Sequence, residues 1–323
     1  MIARWGRIYA TPTRGAYYHT PYKFDRTNMT NKSDTSKRIF KAIMLDVDGT
    51  LVAHHPLAQP TPRVCKAVRR AQELGTLVSV ATGRLVEGFE IINQSLQLKA
   101  PVVLEGGARL YDPVEKTDIW TAYLDASEAR QIIIGWFRQG LPFGFNANGI
   151  SYNSPSMFEM KKQEVRAMQA GEAEWMDSVL SGKVELTEKT LSLIDYDMVT
   201  HIISYPLTPT VAEGLRKSLH RFSCIDVSVN TTHYDDGWCV YLTHVLATKQ
   251  HGIVEFAKHC GVSAHDIIGV GDQEIDYPLL MACGLKVAMG NAVQSLKDIA
   301  DYVAPSVEED GAAEVIERFL LGN

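Results

Sequence analysis

A pair of carboxylates follows an apolar stretch at residues 39–45. The next five residues are Asp46-Val47-Asp48-Gly49-Thr50. Ligands of open α/β sheets bind beyond the carboxyl ends of the strands, so both acids emerge where chemistry is expected. Gly49 lets the chain turn sharply and direct backbone amides toward an anion. The segment therefore indicates an anion-handling site with two carboxylates, although Asp-Gly is also common in solvated turns.

Two other predicted strand ends carry groups suited to a phosphate. Thr82, in Ala81-Thr82-Gly83-Arg84, follows a strand and opens a helix, so its hydroxyl and the free helical amides can bind phosphate oxygens. Lys249 lies in the first turn of another predicted helix, where a bound anion would compensate its unfavourable interaction with the helix dipole. The alternatives are a capping role for Thr82 and a solvated position for Lys249.

The segment Gly271-Asp272-Gln273-Glu274-Ile275-Asp276 also begins where an apolar strand ends. Carboxylates at this spacing can surround one hard cation, and Mg²⁺ takes few protein oxygens while it keeps several waters. An acidic helix start is the alternative, because Asp272 can cap a helix and acids favour its positive end. Together, the strand ends bring acids, a hydroxyl and a lysine to one sheet edge. This combination is stronger evidence for a functional site than any one of the segments alone.

Apolar strands alternate with amphipathic helices around these segments. This pattern predicts an α/β fold with a doubly wound, mostly parallel, Rossmann-like sheet. Predicted strands cover residues 39–45, 76–81, 101–105, 267–270, 285–289 and 302–303. Predicted helices cover residues 61–74, 85–96, 249–260, 275–283, 292–300 and 312–321.

The middle of the chain lacks this alternation of strands and helices, and its pattern predicts an inserted α+β domain. A helix is expected at residues 127–138 and a helical region at 156–180, with a turn-rich stretch at 140–153 between them. Strands at residues 223–230 and 238–243 follow. The expected order is a basic arm at residues 1–38, core at 39–120, inserted domain at 121–243 and core again at 244–323. The arm carries eight Lys or Arg and two acids. It is expected to be a flexible leader or to follow an upstream start codon, with Met29 as the possible true start, and a transit peptide is the alternative.

Composition limits the classes of function that fit. The 323 residues include 32 Lys or Arg and 38 Asp or Glu, giving a net charge of −6 at pH 7. This charge is unsuited to coating nucleic acid, which requires a basic surface. The five cysteines form no C-x-x-C pair, and no apolar run approaches the roughly 18 residues of a membrane span. We therefore expect a cytoplasmic protein without a nucleic-acid or membrane partner.

In these segments and their order, the sequence resembles the haloacid dehalogenase-like hydrolase superfamily, and specifically its Cof-type phosphatases with a large C2-type cap. The resemblance covers about residues 39–323. It rests on D-V-D-G-T, A-T-G-R, the isolated Lys249, G-D-x-x-x-D, V-A-M-G-N-A at 287–292 and E-D-G at 309–311. It implies a Mg²⁺-dependent phosphatase that hydrolyses a small phosphorylated metabolite, with sugar phosphates among the candidates, through an aspartyl-phosphate.

The resemblance also implies a role for each matched residue. Asp46 would be the nucleophile, and Asp48 would act as general acid and then as general base. Thr82, Gly83 and Lys249 would hold the transferring phosphoryl group.

The implied metal ligands come from the two acidic segments. Asp46, the backbone carbonyl of Asp48, and Asp272 would ligate Mg²⁺, with Asp276 as a direct or outer support. The inserted domain would be the cap that closes over the substrate and contributes specificity. Candidate cap contacts are Asn146, Asn148, Tyr152, His233, Tyr234, Asp235 and Asp236, although Asp-Asp-Gly between strands is also typical of a hairpin turn.

Two positions depart from the Cof-type pattern. Ile275 and Gly106 each stand where an asparagine is usual, so two polar side chains are missing. These departures leave open a ligand-binding regulatory protein with weak turnover. A phosphomutase or phosphotransferase that uses the same intermediate is the other alternative.

Overall fold

The computed structural model describes residues 40–55, 58–167, 182–231 and 237–322. The described chain divides into two compact units. Residues 40–121 and 246–322 form the first unit, and residues 122–245 form the second.

The first unit begins with strands and helices in alternation. Its elements are β1 (Ala42–Leu45), α1 (Pro62–Glu73), β2 (Leu77–Val80), α2 (Val86–Leu96), β3 (Val102–Leu104), β4 (Arg109–Asp112) and β5 (Thr117–Thr121). Helix α1 shows how the sequence specifies them. The hydroxyl of Thr61 caps the helix by accepting a hydrogen bond from the N–H of Val64, and Pro62 occupies the first turn. Val64, Val68 and Ala71 recur at helical spacing and are buried against the sheet core.

The second unit has its own sheet and its own hydrophobic core. Its elements are α3 (Ala126–Arg138), β6 (Phe143–Ala147), β7 (Ile150–Asn153), α4 (Pro155–Ala167), β8 (Lys183–Glu185), α5 (Glu188–Leu191), β9 (Val199–Leu207), α6 (Pro209–Leu219), β10 (Ile225–Thr231) and β11 (Trp238–His244). The strand order is β10-β11-β9-β6-β7-β8. Apolar residues of α3 and α6 pack in one cluster with residues of β6, β9 and β11.

The chain then returns to the first unit. The remaining elements are α7 (Lys249–Cys260), β12 (Ile267–Gly271), α8 (Tyr277–Ala282), β13 (Leu285–Ala288), α9 (Gln294–Lys297), β14 (Tyr302–Val303) and α10 (Gly311–Ile316), which continues into a π-helical turn at Glu317–Leu321.

The core sheet combines strands from both parts of the first unit. Its order is β14-β13-β12-β1-β2, and every pairing is parallel. Strand β1 lies in the middle and is completely buried, as expected for a parallel strand covered on both faces. A bridge between Ala81 and Val103 joins β2 to β3, which belongs to the antiparallel sheet β3-β4-β5. The predicted α/β class with a parallel core sheet is confirmed.

Several predicted elements need correction. The stretch 140–153, predicted to be turn-rich, contains the hairpin β6–β7, in which Asn148 and Gly149 form the turn between the strands. The segment predicted as a helix at 275–283 begins with a 3₁₀ turn at Glu274–Asp276. Of the helix predicted at 292–300, only α9 (Gln294–Lys297) is helical. Strands β4, β5, β8 and β9 and helices α5 and α6 were not predicted. The predicted helical region 156–180 forms α4 up to Ala167, and residues 168–181 lie outside the described part.

Among the described helices, none combines the length and apolar composition that crossing a membrane requires.

Candidate active site

Three buried carboxylates converge at one edge of the core sheet. Asp46 follows β1 and Asp272 follows β12, and these strands pair in parallel, so both side chains leave the same edge. Asp276 ends the turn after Asp272. One carboxylate oxygen of each residue lies within 4.8 Å of the others, and the residues are 7%, 0% and 0% exposed. Within the described ranges, no other group of three acidic, histidine or cysteine side chains is arranged in this way.

Lys249 places a buried cation within this cluster. Helix α7 begins at Lys249, and the hydroxyl of Thr248 caps it by accepting a hydrogen bond from the N–H of His251. The Nζ of Lys249 donates to Asp46 Oδ1 at 2.6 Å and to Asp276 Oδ1 at 2.5 Å. Burial lowers the pKa of Lys249, but the carboxylates of Asp276 and Asp46 outweigh it and leave the pKa above its ordinary value. The lysine is therefore a fixed positive charge rather than a solvated one.

The carboxylates of the cluster outnumber its one cation, and burial disfavours their ionisation. Burial raises the pKa of Asp46 well above its ordinary value, and the charge of Asp276 raises it further. Lys249 lowers the pKa of Asp46, whereas Asp272 raises it. One ammonium faces three carboxylates, so two negative charges lack a counter-charge among these four groups when all are ionised. A divalent cation bound to the carboxylates would balance them.

Asp276 also shapes the turn that carries it. Its Oδ2 accepts hydrogen bonds from the backbone N–H groups of Asp272 and Gln273, both at 3.0 Å. Its Oδ1 accepts from Lys249, so one carboxylate joins the turn after β12 to the start of α7. This turn and the lysine are therefore positioned relative to each other.

Asp48 does not belong to the group of three carboxylates and pairs with Arg84. The guanidinium of Arg84 donates from Nη2 to Asp48 Oδ1 at 2.7 Å and from Nε to Oδ2 at 3.0 Å. Its Nη1 donates to the carbonyl of Gly88 in α2. The side chain of Asp48 is 31% exposed, and that of Arg84 is 10% exposed. The carboxylate thus has a fixed orientation and remains accessible.

Thr82 and Gly83 follow β2, the strand adjacent to β1. Thr82 is buried, and its Oγ1 accepts a hydrogen bond from the N–H of Arg84. The carbonyl of Thr82 accepts from the N–H of Gly106, in the turn Glu105–Gly107. The predicted phosphate-binding residues therefore stand at the same sheet edge as Asp46, and their role stays a prediction.

The turn Glu105–Gly107 explains one departure from the family pattern. Gly106 has φ 68° and ψ 8°, in the left-handed region that both glycine and asparagine tolerate. Gly107 has φ 114°, and a Cβ there would lie 2.1 Å from the backbone of Thr248. The glycine at 106 thus satisfies the same backbone requirement as the usual asparagine, and Gly107 allows the turn to contact the start of α7.

Several groups that surround Asp272 were missed from the sequence. Its Oδ1 accepts a hydrogen bond from Thr50 Oγ1 at 3.3 Å, and its Oδ2 accepts from Gln273 Nε2 at 3.0 Å. His54 Nε2 lies 3.2 Å and Asn291 Nδ2 3.5 Å from the same Oδ2. Thr50 belongs to the segment Asp46–Thr50 and Asn291 to the segment 287–292, both of which match the family pattern, whereas no sequence signal indicated His54. Ile275, the other departure, is half-buried within the turn beside this carboxylate.

The candidate substrate contacts in the second unit differ in burial and backbone conformation, and only three of the seven lie among the described residues. Asn146 is a buried residue of β6, and Asn148 adopts a left-handed conformation in the β6–β7 turn. Tyr152 stacks on Phe145 with ring centroids 5.0 Å apart and packs against the core of this unit. The other four predicted contacts lie outside the described residues. They are His233, Tyr234, Asp235 and Asp236.

Comparison with known proteins assigns the family. A family model described as haloacid dehalogenase-like hydrolase matches residues 43–316, which is most of the chain. The chain belongs to the haloacid dehalogenase-like hydrolases. The matched range begins in β1 and contains both acidic segments, the Ala-Thr-Gly-Arg segment and Lys249.

Relatives of this haloacid dehalogenase-like hydrolase include named phosphatases. A phosphoglycolate phosphatase of Methanothermobacter thermautotrophicus is 32% identical over 109 residues, which are 34% of this chain and 46% of that protein. The chain thus spans less than half the length of this relative. The 5-amino-6-(5-phospho-D-ribitylamino)uracil phosphatase YcsE of Bacillus subtilis is 22% identical over 87% of this chain and 96% of its own.

A solved structure shows the same fold. A haloacid dehalogenase-like hydrolase from B. subtilis superposes with a TM-score of 0.67 and 23% identity, covering 87% of this chain and 100% of that one. The α/β core with an additional sheet and helix domain is therefore the architecture of this family.

Proposed function

We propose that this haloacid dehalogenase-like hydrolase is a Mg²⁺-dependent phosphomonoesterase in which Asp46 forms an aspartyl-phosphate. The buried cluster of Asp46, Lys249, Asp272 and Asp276 carries the proposal. A carboxylate and a phosphate dianion repel each other, so hydrolysis requires a positioned nucleophile and neutralised charge. The cluster offers both, and phosphatases among the relatives support this chemistry.

The residues around Asp46 fit a magnesium ion. Their ligand atoms are carboxylate oxygens, which Mg²⁺ prefers, and a divalent cation would balance the two negative charges that Lys249 leaves uncompensated when all three acids are ionised. Asp46, Asp272 and Asp276 would hold the ion, together with the backbone carbonyl of Asp48. When bound, Mg²⁺ would neutralise charge on the phosphoryl oxygens and ease the approach of a carboxylate.

In the first step, a carboxylate oxygen of Asp46 attacks phosphorus. The new oxygen–phosphorus bond forms as the bond from phosphorus to the leaving oxygen breaks. Asp48 donates its proton to the leaving oxygen, so the product departs as a neutral hydroxyl. Two N–H groups of the Lys249 ammonium donate hydrogen bonds to Asp46 and Asp276, and the third can donate one to a phosphoryl oxygen. The hydroxyl of Thr82 would bind another phosphoryl oxygen, next to the backbone amide of Gly83.

In the second step, Asp48 serves as a base. Its carboxylate takes a proton from water, the water oxygen bonds to phosphorus, and the bond between phosphorus and Asp46 breaks. Inorganic phosphate leaves and both acids return to their starting forms. The two hydrogen bonds from Arg84 orient Asp48 for both transfers.

We propose a small phosphorylated metabolite as the substrate, with sugar phosphates as the first class to test. The named relatives act on phosphoglycolate and on a phosphorylated ribitylamino uracil, which are both small phosphomonoesters. The second unit would be the cap of this family and would contribute to substrate choice. The net negative charge of the chain agrees with a small substrate rather than a nucleic acid.

The proposal is tested by phosphate release from p-nitrophenyl phosphate and from a panel of phosphorylated metabolites. We expect turnover that requires Mg²⁺ and is lost in Asp46→Asn, because an amide cannot replace the nucleophile. Asp197→Asn, at an exposed acid of the second unit, is the matched control and should keep full activity. Transfer of the phosphoryl group to a second sugar would show a phosphotransferase instead. Ligand binding with equal inactivity of wild type and Asp46→Asn would show a binding protein.

A further inference from the structure

We propose that His54 is a positioning residue of the metal site, which holds Asp272 in the orientation that binds the divalent cation. The inference rests on the proposed function, in which Asp272 is a metal ligand. His54 Nε2 lies 3.2 Å from Asp272 Oδ2. An ionised carboxylate can only accept a hydrogen bond, so the imidazole donates through Nε2–H.

The backbone at Gly49 brings the imidazole and the carboxylate together. Gly49 has φ 86°, a conformation that favours glycine. A Cβ at this position would lie 2.4 Å from His54 Nε2 and 2.3 Å from Asp272 Oδ2. The loop after β1 therefore folds against Asp272 and carries His54 with it. The loop that follows β1 and Asp46 thus supplies a hydrogen-bond donor, His54, to Asp272, the proposed metal-binding carboxylate after β12.

The donors around Asp272 are unequally divided between its oxygens. His54, Gln273 and Asn291 direct nitrogen atoms at Oδ2, at distances of 3.2, 3.0 and 3.5 Å. Thr50 alone among the described contacts donates to Oδ1, at 3.3 Å. The nitrogen donors fix the plane of the carboxylate, and that plane sets the direction of the lone pairs offered to a cation. The Asp272 side chain is fully buried, so a rotated carboxylate could not regain these bonds from bulk water.

The expected effect of losing His54 is a weaker metal site. Loss of a hydrogen-bond partner behind a metal ligand typically lowers metal affinity by about 10- to 100-fold. Gln273 and Asn291 remain after His54 is replaced, so we expect about 10-fold. The loss should be similar for Mg²⁺ and Mn²⁺, because Asp272 still binds the ion through oxygen. An imidazole that bound the ion itself would instead favour Mn²⁺ over Mg²⁺.

The test is calorimetric titration of the full chain with Mg²⁺ alone and with Mn²⁺ alone, in the absence of substrate. His54→Leu removes the donor, whereas His54→Gln places an amide N–H at a length similar to Nε2. His55→Gln, at the neighbouring histidine, is the matched control. We expect wild-type affinity in His55→Gln, about 10-fold weaker binding of both ions in His54→Leu, and recovery of most affinity in His54→Gln. His54→Asn, whose amide is shorter, replaces the leucine variant if that variant does not fold.

Two results would overturn the inference while the proposed function stands. One is unchanged affinity for both ions in His54→Leu, even if that variant unfolds more easily in the presence of a chelator. The other is a loss confined to Mn²⁺, which would show direct ligation by the imidazole. Failure of the wild type to bind either ion would overturn the proposed metal site and the inference with it.

Discussion

The chemistry proposed for Asp46 depends on charges that lie within hydrogen-bond distance of it. Lys249 is bonded to Asp46 and Asp276, and its position in the first turn of α7 is unfavourable for a cation unless acids compensate. The two carboxylates provide that compensation. Asp48, two residues after Asp46, instead pairs with Arg84, so two nearby acids have different partners and can take different roles.

Arg84→Lys should lower kcat by about 10- to 100-fold, because a lysine cannot form both hydrogen bonds to Asp48 and the proton donor loses its orientation. The affinity for Mg²⁺ should stay unchanged, since the Asp48 carboxylate is outside the metal cluster. Steady-state kinetics and metal titration measure the two effects.

The control for this variant is Arg63→Lys. Arg63 also bonds one glutamate, Glu317, through two nitrogens, but its side chain is 45% exposed. Exposed pairs contribute little, so its kinetics should match the wild type. Equal loss of kcat in both variants, or none in Arg84→Lys, would contradict the orienting role of Arg84.

Among the elements, the turn Glu105–Gly107 links two parts of the site. Its Gly106 N–H bonds the carbonyl of Thr82, and its Gly107 lies against the backbone of Thr248 and Lys249. The turn therefore supports both segments that are proposed to bind phosphate. Gly106 needs only a residue that tolerates a left-handed conformation, whereas Gly107 leaves no room for a Cβ, so the two positions can be compared as a matched pair.

Gly107→Ala should reduce the free energy of unfolding by at least about 2 kcal/mol and abolish most activity, because its Cβ would overlap the backbone of Thr248. Gly106→Asn should change the free energy of unfolding by less than about 1 kcal/mol, since a Cβ there meets no atom within 4 Å and asparagine tolerates the conformation. Urea unfolding and kinetics measure both variants. Similar stability of the two would contradict the packing role of Gly107.

The elements that the sequence predicted well have strong local signals. Helix α1 has a capping threonine, a proline in its first turn and a glycine after its end, and β1 and β12 are continuous apolar runs. Strands β6 and β7 carry glycine, asparagine and serine, which resemble turn composition, so their pairing with each other and with β9 and β8 is needed to make them strands. The short α8 follows a turn held by local hydrogen bonds to the Asp276 carboxylate, which also accepts from the distant Lys249, and hydrophobic spacing shows neither kind of contact.

The whole molecule assembles the site from distant parts of the sequence. Asp46 precedes the second unit, whereas Lys249, Asp272 and Asp276 follow it. The parallel pairing of β1 with β12 brings these segments to one edge, which is why strand-end position predicted the clustered acids. The pairing of Asp48 with Arg84 and the contact of His54 with Asp272 could not be predicted in this way. They depend on side-chain directions within loops, which residue spacing does not determine.

A metal ion bound by residues from both parts of the chain should stabilise the folded state. At a Mg²⁺ concentration about 100 times its Kd, the free energy of unfolding should rise by about 2.7 kcal/mol, since the unfolded chain does not hold the carboxylates together. The midpoint of urea unfolding, with Mg²⁺ or with a chelator, measures this rise. Asp272→Asn should show little of it. An equal midpoint for the wild type in both conditions would contradict the metal site.

The most direct experiment is to trap the phosphoryl group on Asp46. Borohydride reduces an aspartyl-phosphate to homoserine, and peptide mass spectrometry locates the altered residue. We predict homoserine at position 46 when the wild-type protein turns over substrate with Mg²⁺, and none in Asp46→Asn or without substrate. Steady phosphate release from a protein whose Asp46 stays unmodified, or homoserine at another position, would contradict the mechanism proposed for this chain.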